Sequence, residues 1–328
     1  MTFRVGIIGA GAHGERYVRH GSQDVPGMNV TALCRRDSHR GQQLADKHDV
    51  RYHREASALI ADPDVDGVVV CTPPSSHFKI AEQVIQSDKP LLLEKPMTGT
   101  LAEAEQLVKL DQAAGQPLML GQALRWNPVL LKVRGLWPQL GRVHHVRLAQ
   151  RLEPTTLAWQ QDAAQTVGGS VLLTGVHIFD LARWLTGAEF TAVDSRQAQI
   201  LNPIVEDFFL ARGVLSDGCL VSLEVSKYTQ SRACWLEAVG ENGQIFADYL
   251  KGGVTLRCGQ VEEKFEVSAA VPTLPALLND WMAAVRGKFA PPVTVQDGLA
   301  TLHVADACYR SAEAGREITL QKVINRLQ

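Results

Sequence analysis

Short apolar runs alternate with amphipathic stretches through the first third of the chain. FRVGIIG, MNVTALC, VDGVVVC, KPLLLE and QPLMLG have the β-branched, apolar character of strands. VDGVVVCTPP stays apolar until two prolines stop it, as expected of a strand buried on both faces. Helical patterns fall between these runs. One extends from about His13 to His20, and SHRGQQLADKH follows with Asp37 or Ser38 as its N-cap. SHFKIAEQVIQS is amphipathic, and TLAEAEQLVKLDQAAG is closed by Gly115. This βαβα order predicts a doubly wound, mostly parallel sheet over residues 1–121.

The pattern changes in residues 122–328. A helix is expected to start at Asn127-Pro128, because proline fits a first helical turn. RVHHVRLAQRL alternates like a strand, with His144 and His145 pointing opposite ways as structural residues. VLLTGVHIFDLARWLTG reads as a helix ending at Gly187. EDFFLARGVL, CLVSLEVSKY, ACWLEAVG and GQIFADYL then follow one another across short glycine turns, which predicts a largely antiparallel sheet. Two helices close the chain, the first with Leu277, Leu278, Trp281, Met282 and Val285 on one face. The expected fold class is therefore α/β: a Rossmann-type parallel sheet, then an α+β domain with a large, mostly antiparallel open sheet.

Composition narrows the partners. With 45% hydrophobic and 21% charged residues the chain is an ordinary globular one, and 328 residues suit two domains. A formal net charge of -2 gives no field favouring nucleic acid or an anionic membrane. No apolar run approaches the roughly 20 residues that span a bilayer. The N-terminal apolar stretch is short and runs straight into a glycine loop, unlike a cleavable signal. Six scattered cysteines without a C-x-x-C pair suggest reduced thiols in a cytoplasm and no metal site.

GAGAHG sets Gly9, Gly11 and Gly14 in a G-x-G-x-x-G pattern after a strand and at the opening of a helix. The three glycines suit a tight turn, backbone approach to a pyrophosphate and close helix–strand packing, while the helix N-terminus favours phosphate. Ala12 completes the loop, and His13 reads as a helix-start residue facing solvent. About 20 residues on, where an NAD-binding chain carries an acid, the strand ends in Arg35 and Arg36, with Asp37 behind them. Two guanidiniums suit a 2′-phosphate, which points to NADP over NAD. The opposing reading has both arginines solvated and Asp37 on the ribose.

TPPSSH (Thr72 to His77) and LLLEKPM (Leu91 to Met97), together with GGSVLLTGVHIFDLARWL, LEAVGENGQIFAD and the segment from PPVTVQDG to REITL, resemble the Gfo/Idh/MocA oxidoreductase family over nearly the whole chain. The resemblance implies hydride transfer between nicotinamide and a sugar, polyol or related hydroxy compound. It also implies association through the second-domain sheet into a homodimer or homotetramer. Lys95 matches the family's active-site lysine, at the carboxyl edge of a buried strand where doubly wound folds place ligands. Pro96 matches the proline that follows it, often across a cis bond, and Glu94 reads as a shaper of that turn. Thr72, Pro73 and His77 match a loop along the cofactor, although His77 equally reads as packing the next helix. Arg125 either faces substrate or pairs with a carboxylate.

His177 matches the histidine of the family's D-x-G-x-H element, which forms a proton-transfer site beside the lysine. Here Leu173 stands in place of the acid. Either His177 and Lys95 suffice, another carboxylate substitutes, or the activity is altered or lost. Asp180, Asp162 and Glu153 are the available acids, and Asp180 reads as a structural partner of Arg183 or of the helix backbone. Trp159 is either a pocket wall or packing. The expected function is an NAD(P)-dependent oxidoreductase acting on CH–OH groups. A cofactor-binding sensor of the same fold and an NAD-assisted glycosidase are the alternatives.

Overall fold

A computed structural model describes residues 2–162 and 165–320, which divide into two compact units. The first unit comprises Met1–Ala123 and Pro272–Leu299; the second comprises Leu124–Val271 and Ala300–Gln328. The first boundary lies two residues beyond the one expected from sequence. The return of residues 272–299 to the first unit departs from a simple division at residue 122.

The strands of the first unit are β1 (Phe3–Ile8), β2 (Met28–Cys34), β3 (Arg51–His53), β4 (Gly67–Val70), β5 (Leu91–Leu93) and β6 (Leu118–Leu120). Among the described residues they form one six-stranded parallel sheet in the order β3-β2-β1-β4-β5-β6. Its helices include α1 (Ala12–Gln23), α2 (Ser38–His48), α3 (Ala56–Ile60), α4 (His77–Gln86) and α5 (Leu101–Ala113). Val68, Val69, Val70, Leu91, Leu92 and Leu93 are fully buried, which is why these strands read as unbroken apolar runs. Strand order reverses between β1 and β4, so their following loops diverge and open a crevice at the carboxyl edge of the sheet.

The second unit opens with α6 (Pro128–Leu136), capped by Asn127, whose side chain accepts from Val129 N and Leu130 N. Its strands are β7 (Val143–Arg151), β8 (Phe190–Ala198), β9 (Phe208–Leu215), β10 (Leu220–Ser226), β11 (Ala233–Gly240), β12 (Gln244–Asp248), β13 (Gly253–Cys258), β14 (Val261–Glu266) and β15 (Ile318–Thr319). They form a nine-stranded sheet in the order β14-β13-β12-β11-β7-β10-β9-β8-β15. Every pair is antiparallel except β7 with β10, where Leu148 lies opposite Leu223. Helix α7 (Val176–Thr186) packs Phe179 against Phe190 and Phe209, and Gly187 ends it in the left-handed conformation.

Helix α8 (Thr273–Val285) explains the crossing back. Trp281 is fully buried and meets Phe3 of β1 edge-on, 5.3 Å between ring centroids. Leu274, Leu277, Leu278 and Met282 are buried beside it, whereas Val285 is only partly covered. Leu120 N also donates to Val293 O at 3.1 Å, tying the edge of the parallel sheet to the residues before α9 (Val295–Ala314). No helix among the described residues is long and apolar enough to cross a membrane.

Candidate active site

The glycine loop has the geometry its spacing predicts. Gly9 has φ 95°, and a Cβ there would stand 2.6 Å from Thr72 N, so the turn lies directly against the loop after β4. A Cβ on Gly11 would meet nothing within 4 Å, which leaves open space over the backbone where a pyrophosphate must approach. Ala12 begins α1, with its free N–H groups at that opening. These residues fit a dinucleotide.

Asp37 is committed as the N-cap of α2, accepting from Arg40 N at 3.1 Å. Arg35 folds back, its Nη1 donating to Ala10 O at 2.7 Å. Arg36 is exposed just past the end of β2.

The turn after β5 holds a buried charge cluster. Glu94 Oε1 accepts from Tyr17 OH at 2.6 Å and lies 2.8 Å from His13 Nε2, while Oε2 accepts from Lys95 N at 3.0 Å. Burial pushes the Glu94 carboxyl up, but His13, Lys95 and Tyr17 outweigh it and hold the pKa down at about 2. Burial pushes the Lys95 ammonium below the ordinary lysine range, with Glu94 opposing. The same surroundings drive the Tyr17 phenol and the Cys71 thiol well upward. Glu94 is thus a fixed anion that shapes the turn. His13 is exposed at the start of α1, as expected, and its ring also reaches Glu94, 81 residues away.

The Lys95–Pro96 peptide is cis. His77 is fully buried, its Nδ1 2.9 Å from Pro96 O and its Nε2 2.7 Å from Thr72 O. It therefore fastens the Thr72-Pro73 loop to the turn that carries Lys95. Burial pushes its pKa down, against the carbonyl contacts that favour the protonated ring.

In the second unit, one π-helical turn (Val171–Gly175) leads into α7. From Val171 to Ala182 every residue is buried except His177, which remains partly exposed. Asp180 is buried and takes a bidentate pair from Arg125: Nε to Oδ2 at 2.8 Å and Nη2 to Oδ1 at 2.6 Å. Arg183 pairs with Glu189 through two 2.6 Å bonds. Glu153 pairs with Arg232 at the surface, and the Asp162 side chain accepts from Gln165. His144 approaches Glu241, and His145 lies 3.0 Å from Ser222 Oγ. Leaving Asp180 buried without its guanidinium is costly, so Arg125→Ala is expected to lower stability by about 3–5 kcal/mol. Urea unfolding measures that loss, and a change below about 1 kcal/mol would contradict the structural role.

A cavity of about 290 Å³ lies within this unit, lined in part by Leu173, Glu206 and Lys227. Gln160 and Gln161 contribute to its wall, whereas Trp159 is half-buried outside it. The sequence reading missed Glu206. Its signal is the Glu206-Asp207 pair set immediately before the apolar β9, an unusual place for two acids. Burial pushes the Glu206 carboxyl above the ordinary glutamate range, opposed by the Val171 N–H, the Tyr309 hydroxyl and the Gly169 N–H.

A dinucleotide crevice on a 3-2-1-4-5-6 sheet, with a lysine at its carboxyl edge, defines an NAD(P)-dependent oxidoreductase of two units. Residues 3–122 match the oxidoreductase family's NAD-binding Rossmann fold, and residues 138–320 match its C-terminal alpha/beta domain. The chain belongs to the Gfo/Idh/MocA oxidoreductase family. Inositol 2-dehydrogenase of Acidothermus cellulolyticus is 30% identical, over 94% of this chain and 92% of that one. Inositol 2-dehydrogenase 1 of Saccharopolyspora erythraea is 29% identical, over 98% and 97%. The crystal structure of GenD2 from gentamicin A biosynthesis, in complex with NAD, superposes with a TM-score of 0.88 at 27% identity, covering 98% of this chain and 97% of that one.

Proposed function

We propose that the protein oxidises a hydroxyl, or reduces the matching carbonyl, on a sugar, polyol or related small molecule, with NADP preferred over NAD. The likeness to inositol 2-dehydrogenases supports this substrate class. The observation that carries the reading is Lys95, set on a turn braced by buried Glu94 and His77 at the edge of the dinucleotide crevice. When bound, the nicotinamide supplies hydride transfer at its C4. Lys95 hydrogen-bonds the reacting oxygen and stabilises its negative charge. His177 accepts the hydroxyl proton during oxidation and returns it during reduction. Gly9, Gly11, Ala12 and Gly14 bind the pyrophosphate, Thr72 and Pro73 border the cofactor, and His13 and His77 act through the loops they hold.

The cofactor preference rests on Asp37, which is committed to capping α2, and on exposed Arg36 beside it. Arg36→Ala is expected to raise KM for NADP about tenfold to a hundredfold while leaving NAD use near normal. Paired kinetics with both cofactors check this, and a wild-type protein that prefers NAD would sink the assignment.

Self-association is proposed through the outward face of the nine-stranded sheet. Exposed Leu210, Leu220 and Phe246 there stand among cross-strand pairs such as Arg147–Glu237 and Arg151–Glu224. The free, mostly buried cysteines accord with a cytoplasmic location. Leu173 carries a second reading, a cofactor-binding sensor without turnover. A screen of sugars, polyols and their keto or lactone partners, read by absorbance of reduced nicotinamide, separates the two. Turnover supports the dehydrogenase; cofactor binding without any turnover supports the sensor.

A further inference from the structure

The cavity of the second unit mixes apolar and charged lining. Leu173, Leu201, Ile204 and Val205 line it together with Glu206 and Lys227, and polar Gln160 and Ser170 stand among them. The adjacent acids Glu206 and Asp207 hold much of this lining in place. Buried Asp207 accepts from the N–H groups of Ile200, Leu201 and Asn202 at 2.7, 2.7 and 2.8 Å, which fixes the apolar loop. Glu206 Oε1 accepts from Gly169 N at 3.1 Å, Val171 N at 3.0 Å and Tyr309 OH at 2.8 Å. A Cβ at Gly169 would overlap the Glu206 carbonyl oxygen, so the carboxylate and the π turn are packed without slack. Lys227 is anchored through its N–H to Asp207 O at 2.7 Å and through Nζ to Gln160 Oε1 at 3.0 Å.

One atom of this frame is left open. Glu206 Oε2 accepts no hydrogen bond from a described residue, yet it is not among the buried polar atoms shut off from solvent. Glu206 is one of the residues that line the cavity. Asp180, Glu153 and Asp162 are held by other partners, so none matches Glu206 as a carboxylate presented beside Leu173.

We propose that this cavity binds a partly deoxygenated sugar ring, one hydroxyl engaging Glu206 Oε2 while a deoxygenated or methyl-bearing edge packs on Leu173 and Ile204. A hydroxyl pressed against Leu173 has no partner there and loses its bonds to water. A C–H edge at the same place loses none. The Glu206 carboxylate accepts from the sugar hydroxyl in a charge-assisted bond, stronger than the neutral one an amide N–H in its place could give. The inference rests on the dehydrogenase reading for its chemistry but makes a separate claim about binding.

The test compares D-glucose and D-galactose with their 2-deoxy and 6-deoxy derivatives, each with saturating cofactor, by kcat/KM and by calorimetric binding. The wild type is expected to favour at least one deoxy sugar over its parent by about tenfold or more. Glu206→Gln keeps an oxygen for the three donors and replaces only the open one. It is expected to lower kcat/KM for that sugar about tenfold or more, with Tm and cofactor Kd unchanged. Leu173→Asp is expected to shift the preference toward the parent. Equal or better use of the parents by the wild type, or indifference to Glu206→Gln, overturns the proposal. Lys95-dependent turnover with that indifference sinks this inference alone. Glu206-dependent binding without turnover sinks the dehydrogenase reading alone, and neither binding nor turnover sinks both.

Discussion

Lys95→Met is expected to lower kcat by about 10²–10³-fold while leaving cofactor Kd and Tm close to wild type. The lysine follows a buried strand, and its backbone N–H is fixed by Glu94 Oε2 at 3.0 Å, so the side chain leaves a rigid turn. Methionine fills similar space without a charge or a donor, which confines the loss to stabilisation of the reacting oxygen. Lys95→Arg is not expected to rescue, because a planar fork cannot take the place of a compact ammonium. Burial moves the ammonium below the ordinary lysine range, with Glu94 opposing. Raising the pH removes its proton and charge, so kcat is expected to fall on the alkaline side before the ordinary lysine range is reached. Lys95→Met should lack that limb. Stopped-flow measurement of the hydride step across pH checks both arms, and a kcat within about threefold of wild type would remove Lys95 from the mechanism.

The Rossmann half was legible because its signals are local. Gly9, Gly11 and Gly14 fall within one turn, and β4 and β5 are buried on both faces, so each element carries its own signature. β3 and α3 went unread for the converse reason: Arg51–His53 and Ala56–Ile60 are too short to display a period. The return of α8 to the first unit depends on Trp281 meeting Phe3, a contact across most of the chain that no local pattern encodes. The parallel pairing of β7 with β10 inside an otherwise antiparallel sheet is non-local in the same way.

The site was legible in its motifs and opaque in its partners. Lys95 and His177 were nominated by the family resemblance of LLLEKPM and GGSVLLTGVHIFD. The anion that braces Lys95 takes its bonds from His13 and Tyr17, 81 and 77 residues away, and His13 looked like a solvated helix-start residue. Asp180 was read as a structural partner of Arg183 or of the helix backbone, and a bidentate pair reaches it from Arg125, 55 residues upstream. Helical spacing nominates neighbours; burial decides which cation is close enough to neutralise a buried carboxylate.

His177→Ala is expected to lower kcat by about 10²–10³-fold with cofactor affinity near normal. The structural argument is one of contrast. Val171 to Val176 and Ile178 to Ala182 are all buried, so the segment spends its surface on packing and keeps only His177 partly open. A histidine retained for packing would be covered like its neighbours. Phe179 anchors the helix on Phe190 and Phe209, and Asp180 anchors it on Arg125, so removing the imidazole leaves those supports intact. The loss should therefore appear in kcat and not in Tm. A proton-transfer role also predicts partial recovery when imidazole is added to His177→Ala, because a free ring can occupy the vacated space and carry the proton. His177→Gln keeps hydrogen-bonding capacity but cannot titrate, and it is expected to be nearly as slow as alanine. If glutamine restores turnover, His177 orients substrate and the proton leaves by another route; if alanine retains turnover, the histidine has no part in the chemistry.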